Sequence, residues 1–151
     1  VGDYESQVAK ALGAQYSDHF DFKLNGKTFN ACHGHGYFLM YRSTFLERES
    51  FSSRLALSAG QAPLVNVIIR SHGHFFTVYS ADNVIALMTP CWQMPTDYHA
   101  TRAASYYKTQ ESLGSVLIEV TDEEMPDCIR IKRAPFRFAP PKQWLRVLEL
   151  G

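Results

Sequence analysis

The chain has 151 residues, 46% of them hydrophobic and 20% charged, with 15 Lys plus Arg balanced by 15 Asp plus Glu. That length supports one unit with a real core, and the zero net charge argues against a broad nucleic-acid or membrane surface driven by positive charge. No apolar run approaches the roughly 20 residues that span a bilayer, and no basic segment followed by an apolar stretch opens the chain, so neither a membrane partner nor a signal peptide is expected. The three cysteines, Cys32, Cys91 and Cys128, are odd in number and lack CxxC spacing. They fit a reducing, cytoplasmic setting in which they pack as small apolar groups.

Tyr4, Val8, Ala11 and Leu12 recur at helical spacing, with Asp3 placed to cap the start and Gly13 to end the helix. Phe20, Phe22 and Leu24 alternate with polar residues and predict a strand, turned by Asn25-Gly26 into a second strand over 27–32 that delivers His33 at its end. Gly34, Gly36, Tyr37 and Phe38 read as a loop. Thr44-x-x-Glu47 reads as a capping box at the start of a helix over 44–58, whose buried stripe is expected to include Phe45, Phe51 and Leu55. Residues 60–63 break the chain, and the short β-branched run 64–69 predicts a buried strand. Strands over 75–79 and 84–88 flank a turn at Ala81-Asp82-Asn83. A long polar and aromatic loop fills 89–112. A hairpin then joins 114–120 to 128–132, and a last strand or short helix covers 143–150. The pattern predicts a single α/β (α+β) unit, mainly strands with two helices.

Four of the six histidines fall in two triplets, His33-Gly34-His35 and His72-Gly73-His74, each directly after a predicted strand. Residues i and i+2 at a strand exit point the same way, so both rings of a triplet can meet one ion. The intervening glycine lets the loop bend around it. Strand ends are also where α/β folds place their sites. Carboxylates are scarce nearby: Glu47 lies inside a helix and Asp82 beyond another strand. The residues leave open a histidine-only zinc site and a two-metal centre whose carboxylates lie elsewhere. Arg42 and Arg70 are candidate phosphate contacts, with a plain surface role as the alternative. Trp92, Tyr98, Tyr106 and Tyr107 suit packing under a loop better than base stacking, and His19 and His99 read as surface residues. Cys32 precedes His33 but has no evident base for nucleophilic work.

The order of these elements resembles the calcineurin-like metallophosphoesterases. Ala31-Cys32-His33-Gly34-His35 is similar to that family's penultimate His-Gly-His element. Ser71-His72-Gly73-His74 is similar to its final Gly-His-x-His element, with serine in place of glycine. Tyr41-Arg42-Ser43-Thr44, Val67-Ile68-Ile69-Arg70 and Thr89-Pro90-Cys91-Trp92-Gln93 extend the resemblance, which points to a phage-type branch. It implies the C-terminal half of an α/β/β/α sandwich and two divalent ions (Mn, Fe or Zn), with His33 and His72 on one and His74 on the other. His35 matches no invariant ligand and, with Arg42, is a candidate substrate contact. The family's early Asp-x-His, Gly-Asp and Gly-Asn-His elements are absent, and Gly2-Asp3 is not followed by an Asn-His pair. The chain also begins with Val1 rather than methionine. The implied protein is a phosphomonoesterase or phosphodiesterase acting on a phosphoester, nucleotides and nucleic acid included. It is expected to be inactive until an N-terminal half or a homo-oligomeric partner completes it. The competing expectations are a non-catalytic interaction module and a small histidine-only zinc protein.

Overall fold

A computed structural model of the chain describes residues 4–33, 42–73, 75–92 and 113–136, with the side chains of Tyr4, Glu5 and Arg42 excepted. Asp3, the loop over 34–41, His74, the segment 93–112 and the expected element at 143–150 lie outside the described residues. Two helices and seven strands are described: α1 (Tyr4–Ala11), β1 (His19–Leu24), β2 (Lys27–Cys32), α2 (Arg42–Ser58), β3 (Val67–Arg70), β4 (Thr77–Ala81), β5 (Val84–Met88), β6 (Gly114–Val120) and β7 (Ile129–Pro135).

Local chemistry explains most of the boundaries. Helix α1 closes with Gly13 N–H donating to Lys10 O (3.2 Å) and Ala14 N–H to Ala9 O (2.8 Å). Helix α2 closes the same way through Gly60 to Leu57 (2.9 Å) and Gln61 to Ala56 (2.9 Å). Both are the paired bonds of a Schellman ending. Between β1 and β2, Asn25 and Gly26 take φ values of 46° and 71°. Such a turn matches the twist of its strands, and only Asn, Asp and Gly enter that region cheaply.

The five-stranded sheet runs in the order β1-β2-β3-β5-β4, and β6 and β7 form a separate antiparallel pair. Strands β2, β3 and β5 are parallel neighbours, while β1 and β4 are antiparallel at the two edges. Successive side chains of the central strands point to opposite faces. Val67, Ile85, Leu87 and Phe29 face the β6–β7 pair and pack with Cys128 and Ile129. Ile68, Val84, Ala86 and Met88 face the other way and pack with Leu46 of α2 and with Phe75. The result is three layers: a helix, a mixed sheet and a second small sheet. Buried on both sides, β5 (Val-Ile-Ala-Leu-Met) carries no polar residue.

Three expectations need correction. The capping box at Thr44 does not start α2, because the helix begins at Arg42 and Thr44 is already inside it. The strand expected over 64–69 is β3, which starts later and includes Arg70. The buried stripe of α2 is not the one read from Phe51 and Leu55, which are 58% and 56% exposed. Leu46 and Ser50 are buried instead, and Ser53 Oγ accepts from Val65 N–H at 3.0 Å. At about 100° per residue, Phe51 and Leu55 lie on the opposite side of the helix from Leu46. Small serines let α2 lie close to Val84 and Ala86, which large rings would hold off. Leu46→Ala is therefore expected to cost about 2–5 kcal/mol, against less than about 0.5 kcal/mol for Phe51→Ser. Urea denaturation of the two variants checks this, and equal losses would refute the assigned face.

On the helix-side face of β1 and β2, Asn30 Nδ2 donates to Asp21 Oδ1 at 2.7 Å, and His19 Nε2 lies 2.9 Å from Asp21 Oδ2. The bond from Asn30, then that from His19, holds the Asp21 carboxyl below its ordinary value. A depressed carboxyl stabilises the fold above its unfolded pKa and loses that contribution as pH falls through the folded value. Asp21→Asn is accordingly expected to flatten the acid limb of a stability–pH curve slightly, since the group is exposed. An unchanged limb between neutral pH and pH about 3 would remove Asp21 from the account.

Candidate functional site

The parallel strands β2, β3 and β5 end side by side. Cys32 pairs with Arg70, and Arg70 with Met88. Each chain then continues from its strand into a potential site residue: His33 after β2, Ser71-His72-Gly73 after β3 and Thr89 after β5. Main-chain bonds tie these exits together. Ser71 N–H donates to Cys32 O (3.3 Å), Thr89 N–H to Arg70 O (2.8 Å) and His33 N–H to Asp18 O (3.2 Å). Thr89 Oγ1 lies 3.2 Å from Ser71 Oγ.

From these exits His33 and His72 meet. Their ring centres are 5.3 Å apart with planes at 84°, and both residues are exposed. Two imidazoles sharing one tetrahedral ion, each through a nitrogen about 2 Å from it, have ring centres about 5 Å apart. The separation therefore fits a shared ion, and it also suits an edge-to-face contact of two rings. His72 takes φ 85°, a region that costs a side-chain-bearing residue about 1–2 kcal/mol. Among the described residues, no group of three or more His, Cys, Asp or Glu could hold a metal ion. His35 and His74 lie outside the described residues, and so does the side chain of Arg42.

Arg70 departs from both of its expected roles. It is buried, 8% exposed, on the helix side of β3, and pairs with Glu49 of α2. Its Nη1 donates to Ile69 O (2.9 Å) and Asn30 O (3.3 Å). One guanidinium thus joins a helix to the two strands that deliver His33 and His72. Nothing in the sequence announces the Glu49 pairing, because the partners are 21 residues apart and belong to different elements. A conspicuous signal was available in part: an arginine ending an otherwise apolar strand needs a partner if it is buried.

Gly73 lies against the core. A Cβ there would stand 2.8 Å from Phe75 Cε1 and 3.2 Å from Met88 Sδ. Phe75 is itself buried, so Gly73→Ala is expected to displace its ring and cost about 1–3 kcal/mol. A chemical-denaturation midpoint equal to the parent's would show that the ring yields freely. Of the remaining candidates, Trp92 is 68% exposed with its ring 6.2 Å from that of Phe136. His19 is on the surface as expected, and Cys32 Sγ lies 3.5 Å from the His33 carbonyl oxygen. Tyr98, His99, Tyr106 and Tyr107 lie outside the described residues.

No family profile matches the sequence, and no curated protein does. Among solved structures, the chain is similar to a Thermotoga maritima protein determined by solution NMR, at TM-score 0.37 and 14% identity over 78% of this chain and 54% of that one. It is also similar to a conserved uncharacterized protein of Streptococcus pneumoniae TIGR4, described as a predicted phosphoesterase, at TM-score 0.39 and 12% identity over 80% of this chain and 64% of that one. The chain spans little more than half to about two thirds of the lengths of these two proteins. Among the described residues no helix is long and apolar enough to cross a membrane.

Proposed function

We propose that this chain is the histidine-bearing part of a metal-dependent phosphoester hydrolase of the calcineurin-like kind, phage-type branch, whose remaining ligands come from outside these 151 residues. The observation that supports it most is the meeting of His33 and His72 at neighbouring parallel strand ends, 5.3 Å between ring centres. In this reading the two rings share one divalent ion, and His74 serves a second. His35 and Arg42 contact a phosphomonoester or phosphodiester, nucleotides and nucleic acid included. Manganese, iron or zinc suits a shell of imidazole and carboxylate. A bound ion pair supplies Lewis acidity to a phosphate oxygen and lowers the pKa of a bound water.

The chain's own residues hold and orient. Each imidazole offers one nitrogen lone pair while its other nitrogen keeps a proton. The main-chain bonds at the ends of β2, β3 and β5 hold the backbone from which the two rings extend, and a metal site needs such a rigid scaffold. These 151 residues hold no Asp-x-His ahead of His33 and no asparagine–histidine pair, elements that the family resemblance requires, so hydrolysis by this chain alone is expected to stay at background.

Titration with cobalt(II), followed by its visible absorption, tests the reading. Binding is expected in the parent chain and is expected to be lost in His33→Ala. A spectrum that never departs from aqueous cobalt, or binding that His33→Ala leaves unchanged, overturns the assignment. Robust manganese-dependent hydrolysis of a bis-aryl phosphate by this chain, abolished in His74→Ala, would instead show that the site is complete as it stands.

A further inference from the structure

The outer edge of β1 is a built and unoccupied pairing surface among the described residues. β1 sits at the end of the sheet and pairs only with β2 there. In that pairing Leu24 stands opposite Lys27 across a two-residue turn, Phe22 opposite Phe29 and Phe20 opposite Ala31. Asp18 O accepts from His33 N–H one step further on. A two-residue hairpin makes the pair beside the turn a hydrogen-bonded one, and such pairs alternate along the strands. Residues 18, 20, 22 and 24 therefore direct their main-chain groups at β2. His19, Asp21 and Lys23 direct theirs outward. Ser17 Oγ takes up those of His19, donating to its carbonyl oxygen at 2.6 Å and accepting from its N–H at 3.2 Å, which leaves the groups of Asp21 and Lys23 facing outward.

The side chains of that edge are self-complementary. Phe20, Phe22 and Leu24 share one face and are 36%, 44% and 47% exposed, with Phe22 stacked on Phe29 at 4.8 Å between ring centres. His19, Asp21 and Lys23 share the other face. Two copies of the strand joined antiparallel about Phe22 place Asp21 opposite Lys23 twice, both with outward main-chain groups that can exchange bonds. The same register sets Phe22 against Phe22 as a close non-bonded pair and Phe20 against Leu24. Centring the pair on Asp21 instead sets two aspartates face to face, which like-charge repulsion disfavours, and leaves Lys23 with no carboxylate opposite it.

We propose that β1 docks a second copy of this chain, the two strands pairing antiparallel about Phe22 so that the sheets join into one ten-stranded sheet. This goes beyond the phosphoesterase reading and does not depend on it. The opposite charges choose the register, and the apolar face is covered in the same step. An edge with alternating apolar residues is a template for strand addition, and its lysine and aspartate turn that hazard into a specific pairing.

Charge-swap variants test it by sedimentation over a dilution series. Asp21→Lys alone puts lysine opposite lysine at both crossings, and Lys23→Asp alone puts aspartate opposite aspartate. Each is expected to weaken the parent dimer by roughly tenfold or more. Mixing the two variants restores opposite charges at both crossings and is expected to recover dimers of mixed composition. Lys23 is exposed, so the melt of the Lys23→Asp monomer is expected to match that of the parent, whereas the Asp21→Lys monomer is expected to melt slightly lower because it loses the bonds from Asn30 and His19. A parent chain that stays monomeric throughout overturns the proposal, as it would if another segment or a different protein covered this edge. A dimer that neither single variant weakens puts the seam elsewhere, and single variants that fail to recombine when mixed overturn the register.

Discussion

Replacing His72 by glycine is expected to weaken divalent-metal binding by more than about 100-fold, since even the loss of an outer-shell partner costs about 10–100-fold. The same change is expected to leave the fold at least as stable. His72 occupies φ 85°, where glycine is at ease and any residue with a Cβ is strained. His72→Ala removes the same ring but keeps the strain, so it is expected to be less stable than His72→Gly by about 1 kcal/mol. Comparing the two separates the ring's chemistry from its backbone. Equal loss of metal binding with unequal stability is the predicted pattern, read by cobalt titration and by urea denaturation. If both variants bind metal like the parent, the pair of rings at the strand ends is a packing contact and the metal assignment falls.

Glu49→Ala is expected to cost about 3 kcal/mol, at the low end of what breaking a buried ion pair costs. The low end applies because the Glu49 side chain keeps 24% of its exposure while that of Arg70 keeps 10%. Removing the carboxylate strands a guanidinium whose Nε already lacks a hydrogen-bond partner among the described residues. Arg70 also holds the carbonyls of Ile69 and Asn30, one residue and three residues before Arg70 and His33 respectively. The loss should therefore loosen both strand ends and lower metal affinity as well as stability. A double variant, Glu49→Leu with Arg70→Met, replaces the pair by apolar groups and is expected to recover most of the stability. A double variant as unstable as the sum of its parts would mean that the two side chains act independently, against the pairing described here.

The fold positions these groups through long-range arrangement that local pattern reading only partly reaches. The helix–sheet–sheet layering follows from strands that are apolar on both sides, as β5 is, because such strands have to be covered twice. Which element covers which face is a different matter. The β6–β7 pair meets Phe29, Val67, Ile85 and Leu87, and α2 meets Ile68, Val84, Ala86 and Met88. The choice rests on the summed fit of side chains that are far apart in the chain.

Residue by residue, the sequence alone determined what nearest neighbours decide. Asn25-Gly26 makes the first hairpin because both positions need positive φ, Gly13 and Gly60 mark helix ends, and the run 84–88 is apolar enough to be a buried strand with the bounds it has. The two histidine triplets also showed, without coordinates, that His33 and His72 follow strands. Only the tertiary structure decided that those strands are adjacent and parallel, so that the two rings come within 5.3 Å of each other. It likewise decided that Ser50 rather than Phe51 is buried and that Glu49 answers Arg70. The reason is physical. Turn and cap preferences act through a few dihedral angles, whereas strand order and the buried side of a helix are set by the packing energy of the whole core, to which no single stretch of chain holds the key.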